Sequence, residues 1–349
     1  MLVEEPRQEK RLWVHPLLLL RGAYGHFQKL YMELCKYPLK FVAFCHLSIS
    51  GFDTIQFPSY YVIWVDDYTP NYDFVNRFLA TGNSYSSLHF EFLLDTSTIF
   101  GIVCSTCDLT WDKLKRCFMP HPSTQDSVRI AQGFMEATEI PNCIGALDGK
   151  HIHVKKPPNS GSRYFNLKKY FSVVLLAVAD SNYCFVIAVI GAYGSASDAR
   201  ASSPPATFIM VADEGFALLR HVLRSFLSHG LDTHRQIFYI RLMKARRRLV
   251  ECAFGIFTSI CHIFDIQFHM HPDNVQAVIK AAIILHNFCR KQEASLNAAE
   301  DGRVLIVPLA EDTQQAPQIA ESGLQVRNFF ADYFLIQEDS VPWQMEVTN

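Results

Sequence analysis

Two aspartates interrupt or close apolar runs where a carboxylate is out of place. Asp148 stands inside Ile144-Gly145-Ala146-Leu147-Asp148-Gly149-Lys150, and Asp213 ends Ile209-Met210-Val211-Ala212-Asp213. A charged group at the end of a buried strand is expensive unless something pairs with it. Two such residues suggest one shared metal. Glu251 sits in a helical pattern with Lys244 seven and Arg248 three residues before it, a spacing that puts all three on one helix face. A carboxylate beside a basic face suits phosphate chemistry. Three carboxylates from two strands and a helix can hold two divalent ions about 3.5 to 4 Å apart, a two-metal arrangement that activates a water or hydroxyl and stabilises the leaving oxygen. Mg2+ is expected, and Mn2+ suits the same oxygens. The reaction class is metal-assisted phosphodiester cleavage.

Arg235, Arg241, Lys244, Arg246, Arg247 and Arg248 form the densest positive patch in the chain and run into Glu251. From this cluster Arg241, Lys244, Arg247 and Arg248 are expected to contact DNA phosphates. His151 and His153 alternate on the strand after Asp148 and share one face, where packing is the expected role. Cys104 and Cys107 have a zinc or redox spacing, but no second pair lies at a fitting distance, so helix packing is expected there too. The chain has no Walker motif, no Gly-x-Gly-x-x-Gly and no Gly-x-Ser-x-Gly elbow, which leaves nucleotide-binding and serine-hydrolase readings without support.

These residues need elements to position them. Strands are expected at Cys143 to Val154, Ser172 to Ala179 and Tyr183 to Ile190, the last two joined as a hairpin through Asp180-Ser181-Asn182. A fourth is expected at Phe208 to Ala212. From His221 to Phe257 and from Asn274 to Lys291 apolar residues recur at three and four, which argues helices. Residues 126–294 therefore read as a mixed α/β catalytic domain. Before it, residues 1–125 read as an all-helical domain. Within that domain 71–111 has the punctuation of a helix-turn-helix, with turns at Thr81-Gly82-Asn83-Ser84 and Asp95-Thr96-Ser97. Its third segment, Ser97 to Cys107, lacks Lys and Arg, so base reading by it is not favoured. Residues 292–325 are rich in Ala, Glu, Asp, Gln and Ser and read as a solvated linker, followed by a short amphipathic segment from Val326 to Tyr333. The tail 295–349 is expected to be partly disordered with that short helix.

Composition sets the bounds. The 349 residues allow about two domains. Hydrophobic residues at 49% and charged ones at 19% exclude collagen-like, coiled-coil and wholly disordered readings. With 32 basic against 34 acidic residues, contact with nucleic acid must come from a local basic surface. Ten cysteines, irregularly placed, do not make a disulfide scaffold, and a reducing intracellular compartment is expected. The longest apolar runs are too short to span a bilayer, so no membrane partner is expected.

Several strings together resemble the PIF/Harbinger transposase family and its domesticated nuclease relatives. They are Arg11-Leu12-Trp13-Val14-His15-Pro16-Leu17, Phe78-Leu79-Ala80-Thr81-Gly82-Asn83-Ser84, and Pro141-Asn142-Cys143-Ile144-Gly145-Ala146-Leu147-Asp148-Gly149-Lys150-His151. The likeness continues through Pro157 to Ser162, Gly191-Ala192-Tyr193-Gly194, Ala245 to Ile256, Leu285-His286-Asn287-Phe288 and Val341-Pro342-Trp343-Gln344. The resemblance implies an RNase H-like DDE nuclease domain whose catalytic and metal-binding triad falls on Asp148, Asp213 and Glu251. It also implies DNA as substrate, nuclear localisation alongside a cytoplasmic pool, and a separate Myb/SANT-like DNA-binding partner. The chain departs from the family pattern at Val189, where an Asp is usual, and in the 14 residues between Asp198 and Asp213, a shorter interval than the family's. The alternative reading is a domesticated transposase that keeps the fold as a DNA- or protein-binding scaffold without cleavage.

Overall fold

The structure is a computed structural model that describes residues 33–45, 48–51, 71–193, 208–226, 233–300 and 323–334. The chain divides into two compact units, Met1–Thr106 and Cys107–Asn349.

The described residues of the first unit are helical. Helix α1 spans Pro38–Cys45, α2 Asn71–Thr81, α3 Tyr85–Phe92, and α4 Thr96–Phe118 continues into the second unit. The turns fall where the capping chemistry puts them. Ser84 accepts from the backbone N–H of Ser87 at 3.2 Å, and Asp95 accepts from that of Ser97 at 3.0 Å. Each satisfies a donor that the first helical turn leaves open. Val75, Phe78, Leu79, Leu88, Phe92, Ile99 and Val103 are buried, and Phe78 stacks on Tyr85. The third helix is longer than the segment Ser97 to Cys107. Cys104 lies half-buried and Cys107 fully buried along it.

In the second unit α5 spans Thr124–Thr138 and begins with a reciprocal cap. Ser123 accepts from Asp126 N–H at 3.1 Å while Asp126 accepts from Ser123 N–H at 3.1 Å. The sequence reading passed over this helix, although Ser-x-x-Asp was its signal. Five strands follow in part: β1 Cys143–His153, β2 Ser172–Ala179, β3 Phe185–Tyr193, β4 Ile209–Ala212 and β5 Val222–Arg224. They form one mixed sheet in the order β3-β2-β1-β4-β5. β1 pairs antiparallel with β2 and β2 with β3, whereas β1, β4 and β5 run parallel. β2 is buried along its whole length because it lies inside the sheet with both faces covered, and its sequence SVVLLAVA is accordingly almost continuously apolar.

One expectation fails here. The segment from His221 is not helical at its start: Val222–Arg224 is a strand, and the helix, α6, runs from Thr233 to Arg246. Val222 and Leu223 are buried beside β4, and three residues are too few for periodicity to tell a strand from a helical turn. A π turn at Arg247–Glu251 leads into α7, Cys252–Ile260. Helix α8, Pro272–Glu300, also extends past Lys291, so residues 292–300 are helical rather than linker. Helix α9, Gly323–Tyr333, buries Val326, Phe330 and Ala331, matching the amphipathic segment expected there. The rest of the expected tail, 301–322 and 335–349, lies outside the described residues.

The core sits on both faces of the sheet. Ala131 of α5 meets Ile144, Leu147, Leu176, Val178 and Met210 on one face. On the other, Phe185, Phe254 and Phe257 cluster with the His286 ring of α8. The β2–β3 turn is tied to α8 by the buried Asn287, which accepts from Phe185 N–H at 2.8 Å and donates to Phe185 O at 2.8 Å. Among the described residues no single helix is long and apolar enough to cross a membrane.

Candidate active site

The parallel register of β1 and β4 sets the two aspartates. Ala146 is level with Val211, so Asp148, two residues further along β1, is level with Asp213, the first residue after β4. The short interval before β4, of which residues 194–207 lie outside the described set, still delivers Asp213 to that place. Gly145 lets β1 pack closely against β2 at the irregularity. At φ +152 its missing Cβ would stand 2.5 Å from Val178 Cγ1 and 2.7 Å from Ala179 O, where β1 shifts register against β4.

The third acid arrives by an irregularity. In an α-helix residues five apart point about 140° away from each other, but one π turn brings i and i+5 onto one face. The π turn ending at Glu251 therefore aligns it with Arg246. Arg246 Nη2 donates to Glu251 Oε1 at 2.8 Å, and Nη1 donates to Asp148 Oδ2 at 3.1 Å. One guanidinium, only 12% exposed, thus joins a strand carboxylate to a helix carboxylate. Arg247 Nε stands 3.6 Å from the other Glu251 oxygen.

The remaining oxygens are held locally. Asp148 Oδ1 accepts from Gly149 N–H at 2.8 Å, and Asp213 Oδ1 accepts from Gly215 N–H at 2.9 Å. Burial pushes the Asp148 carboxyl above its ordinary range, and the Gly149 N–H and Arg246 pull it back down. The charges of Asp213 and Glu251 push it up further. Lys150 lies on the same strand face as Asp148, two residues on. Its amine is 6.0 Å from the Phe254 ring centroid, and burial lowers its pKa.

Of the three acids chosen from sequence, Asp148 and Glu251 are joined through Arg246, a residue outside the expected site, while Asp213 follows β4 at the level of Asp148. Helical spacing pointed to Lys244 and Arg248 instead, because it assumed an uninterrupted α-helix. Arg248 Nη1 turns to the carbonyl of Ala137 at 3.2 Å. Arg241 is a correction: it is not on the surface for DNA. Its side chain is 2% exposed, paired with Glu139 at 3.1 Å and stacked 4.3 Å from the Phe334 ring centroid. The amphipathic pattern of α6 placed it on a basic face, but α9 covers that position. His151 and His153 fall on the strand face opposite Asp148. His151 Nδ1 meets Ser172 Oγ at 2.9 Å and His153 lies against Tyr170, so both pack.

The chemistry of three carboxylates fits a hard divalent cation. As they stand, Asp148 and Glu251 turn oxygens to Arg246, and among the described residues no three His, Cys, Asp or Glu side chains gather closely enough to hold one ion. A metal would have to replace the guanidinium between these two acids.

Residues 147–287 match a known family model. Its description is DDE superfamily endonuclease. The match begins one residue before Asp148, ends at Asn287 and so contains all three acids and Arg246. It spans less than half of the chain. Searches of curated proteins and of solved structures found no match.

Proposed function

We propose that the second unit is an RNase H-like nuclease domain of the Harbinger-derived class that hydrolyses DNA phosphodiester bonds. The observation that carries this reading is that Arg246 joins Asp148 to Glu251, with Asp213 following β4 at the level of Asp148, inside the family-matched segment. The strand order 3-2-1-4-5 with β2 alone reversed supports the fold assignment. Asp148, Asp213 and Glu251 would hold Mg2+ or Mn2+, with Arg246 displaced. A bound divalent ion supplies Lewis acidity and an activated water. The protein's part is to hold the two aspartates level, to bring Glu251 across by the π turn, and to offer Lys150 and Arg247 to phosphate oxygens. A nuclear location and a Myb/SANT-like partner belong to the same proposal.

A second reading has one observation in its favour. Arg246 already bridges Asp148 and Glu251, as it would in a scaffold that has given up cleavage. Incubating the full chain with supercoiled plasmid and Mg2+ or Mn2+ separates the two. The nuclease reading expects nicked product from the native protein and a loss of at least about a hundredfold in Asp148→Asn and Glu251→Gln. Equal, metal-independent background in all three would leave the scaffold.

A further inference from the structure

We infer that the β1–β2 connection, residues 155–171, is a docking surface for duplex DNA, separate from the basic residues before Glu251. Its sequence, KKPPNSGSRYFNLKKYF, contains Lys155, Lys156, Arg163, Lys168 and Lys169 and no acid, in a chain whose net charge is −2. All five basic residues are exposed. Such local charge with no acidic company is complementary to a phosphate backbone.

The loop is stiff. Asn166 is 4% exposed and closes the tip: it accepts from Tyr170 N–H through Oδ1 at 3.2 Å, its Nδ2 donates to Ser172 Oγ at 3.0 Å, and its own N–H donates to Tyr170 O at 2.9 Å. Lys169 takes the left-handed conformation, φ 65, that the tight turn requires. Below the tip, Ser172 N–H donates to Tyr164 O at 2.8 Å, and Phe165 packs on Phe171 with ring centroids 5.2 Å apart. Binding through this tip does not have to pay for ordering it.

The tip also carries an apolar residue in the wrong place for a free surface. Leu167 is 102% exposed beside Lys168 and Lys169, with Phe165 41% exposed next to it. An exposed apolar side chain beside two lysines suits a DNA groove, where such residues wedge against base steps. At the base of the tip Tyr170 lies 4.9 Å from the His153 ring centroid, which braces the loop on the end of β1. The inference rests on the reading that the polyanion is DNA, and its test does not depend on cleavage.

The full-length chain is titrated against a fluorescently labelled duplex by anisotropy, in EDTA and across a salt series. Lys168→Glu combined with Lys169→Glu should weaken binding by about tenfold or more and reduce the slope of log affinity against log salt by about 2. Leu167→Ser should weaken binding severalfold with the slope unchanged. Because these side chains are exposed, urea midpoints equal to the native protein's are the check that the fold is intact. Unchanged affinity and slope in the double variant, or no duplex binding by the native chain, would overturn the inference. So would charge variants that lose binding to phosphatidylserine vesicles while keeping duplex affinity. If the native chain binds duplex through the loop but never nicks plasmid with metal, the nuclease reading fails and the docking surface stands.

Discussion

Arg246 and Glu251 are five residues apart in the chain, and their side chains meet at 2.8 Å. Only the π turn between α6 and α7 permits this, and the same guanidinium reaches Asp148 at 3.1 Å. The contact links the fold's one described π turn to its acidic site, a place where such irregularities recur.

Arg246→Ala should leave Asp148 largely buried beside Asp213 and Glu251 with its cation removed, and should destabilise the metal-free protein by about 1–3 kcal/mol. Mg2+ should restore part of that loss and should raise the urea midpoint of the variant more than that of the native chain. Equal metal-dependent shifts in both proteins would show that the guanidinium does not stand in the cation's place.

Arg241 and Arg247 should behave in opposite ways. Arg241 is buried under α9, so Arg241→Ala should lower stability by about 2 kcal/mol, read by denaturant titration. Its pairing with Glu139, which is 54% exposed, is the smaller part of that cost. Arg247, 80% exposed, should change the midpoint by less than about 0.5 kcal/mol and should weaken duplex binding instead.

Gly145→Ala should cost about 2–4 kcal/mol, since the new Cβ meets a side chain at 2.5 Å and a carbonyl at 2.7 Å on a positive-φ backbone. Strand β1 would have to move away from β2. A variant with a native melting temperature would show that the close approach of β1 to β2 does not require the glycine.

His286 is fully buried, and its Nε2 donates to the Tyr183 carbonyl at 2.7 Å, which requires the neutral ring to carry its proton there. Burial lowers its pKa to about 4. The folded state therefore takes up this proton less readily than the unfolded chain. The stabilisation is complete above the unfolded pKa near 6.5 and is lost as pH falls through about 4. Asp180, raised to about 6 by burial, works in the opposite sense over part of that window. Comparison with His286→Gln, which keeps a donor for Tyr183 and removes the titration, cancels the Asp180 contribution. The native chain should lose up to about 3 kcal/mol more than the variant between pH 7 and pH 4 in paired denaturant titrations. Parallel pH profiles would mean that folding leaves the ring's proton affinity unchanged.

The three acids, four of the strands and the hairpin at Asp180-Ser181-Asn182 were legible from the chain alone. Each announces itself locally, as a charge in an apolar run or as an apolar run between turn residues. The cap at Ser123 and Asp126 is equally local, but the helix it starts is less apolar than the β-branched segments that follow it.

What the sequence by itself determined is the identity of the acids and the strands that bear two of them, because a buried run and its interruption are properties of adjacent residues. Tertiary structure decided the rest. The level placement of Asp148 and Asp213 depends on the parallel register of β1 and β4, which no residue within either strand specifies. The burial of Arg241 depends on α9, which arrives from the far end of the chain. The choice of Arg246 over Lys244 and Arg248 as Glu251's partner depends on a single π turn. Helical periodicity presumes the hydrogen-bond ladder that this turn interrupts, and the interruption exists only once the helix is packed against the sheet.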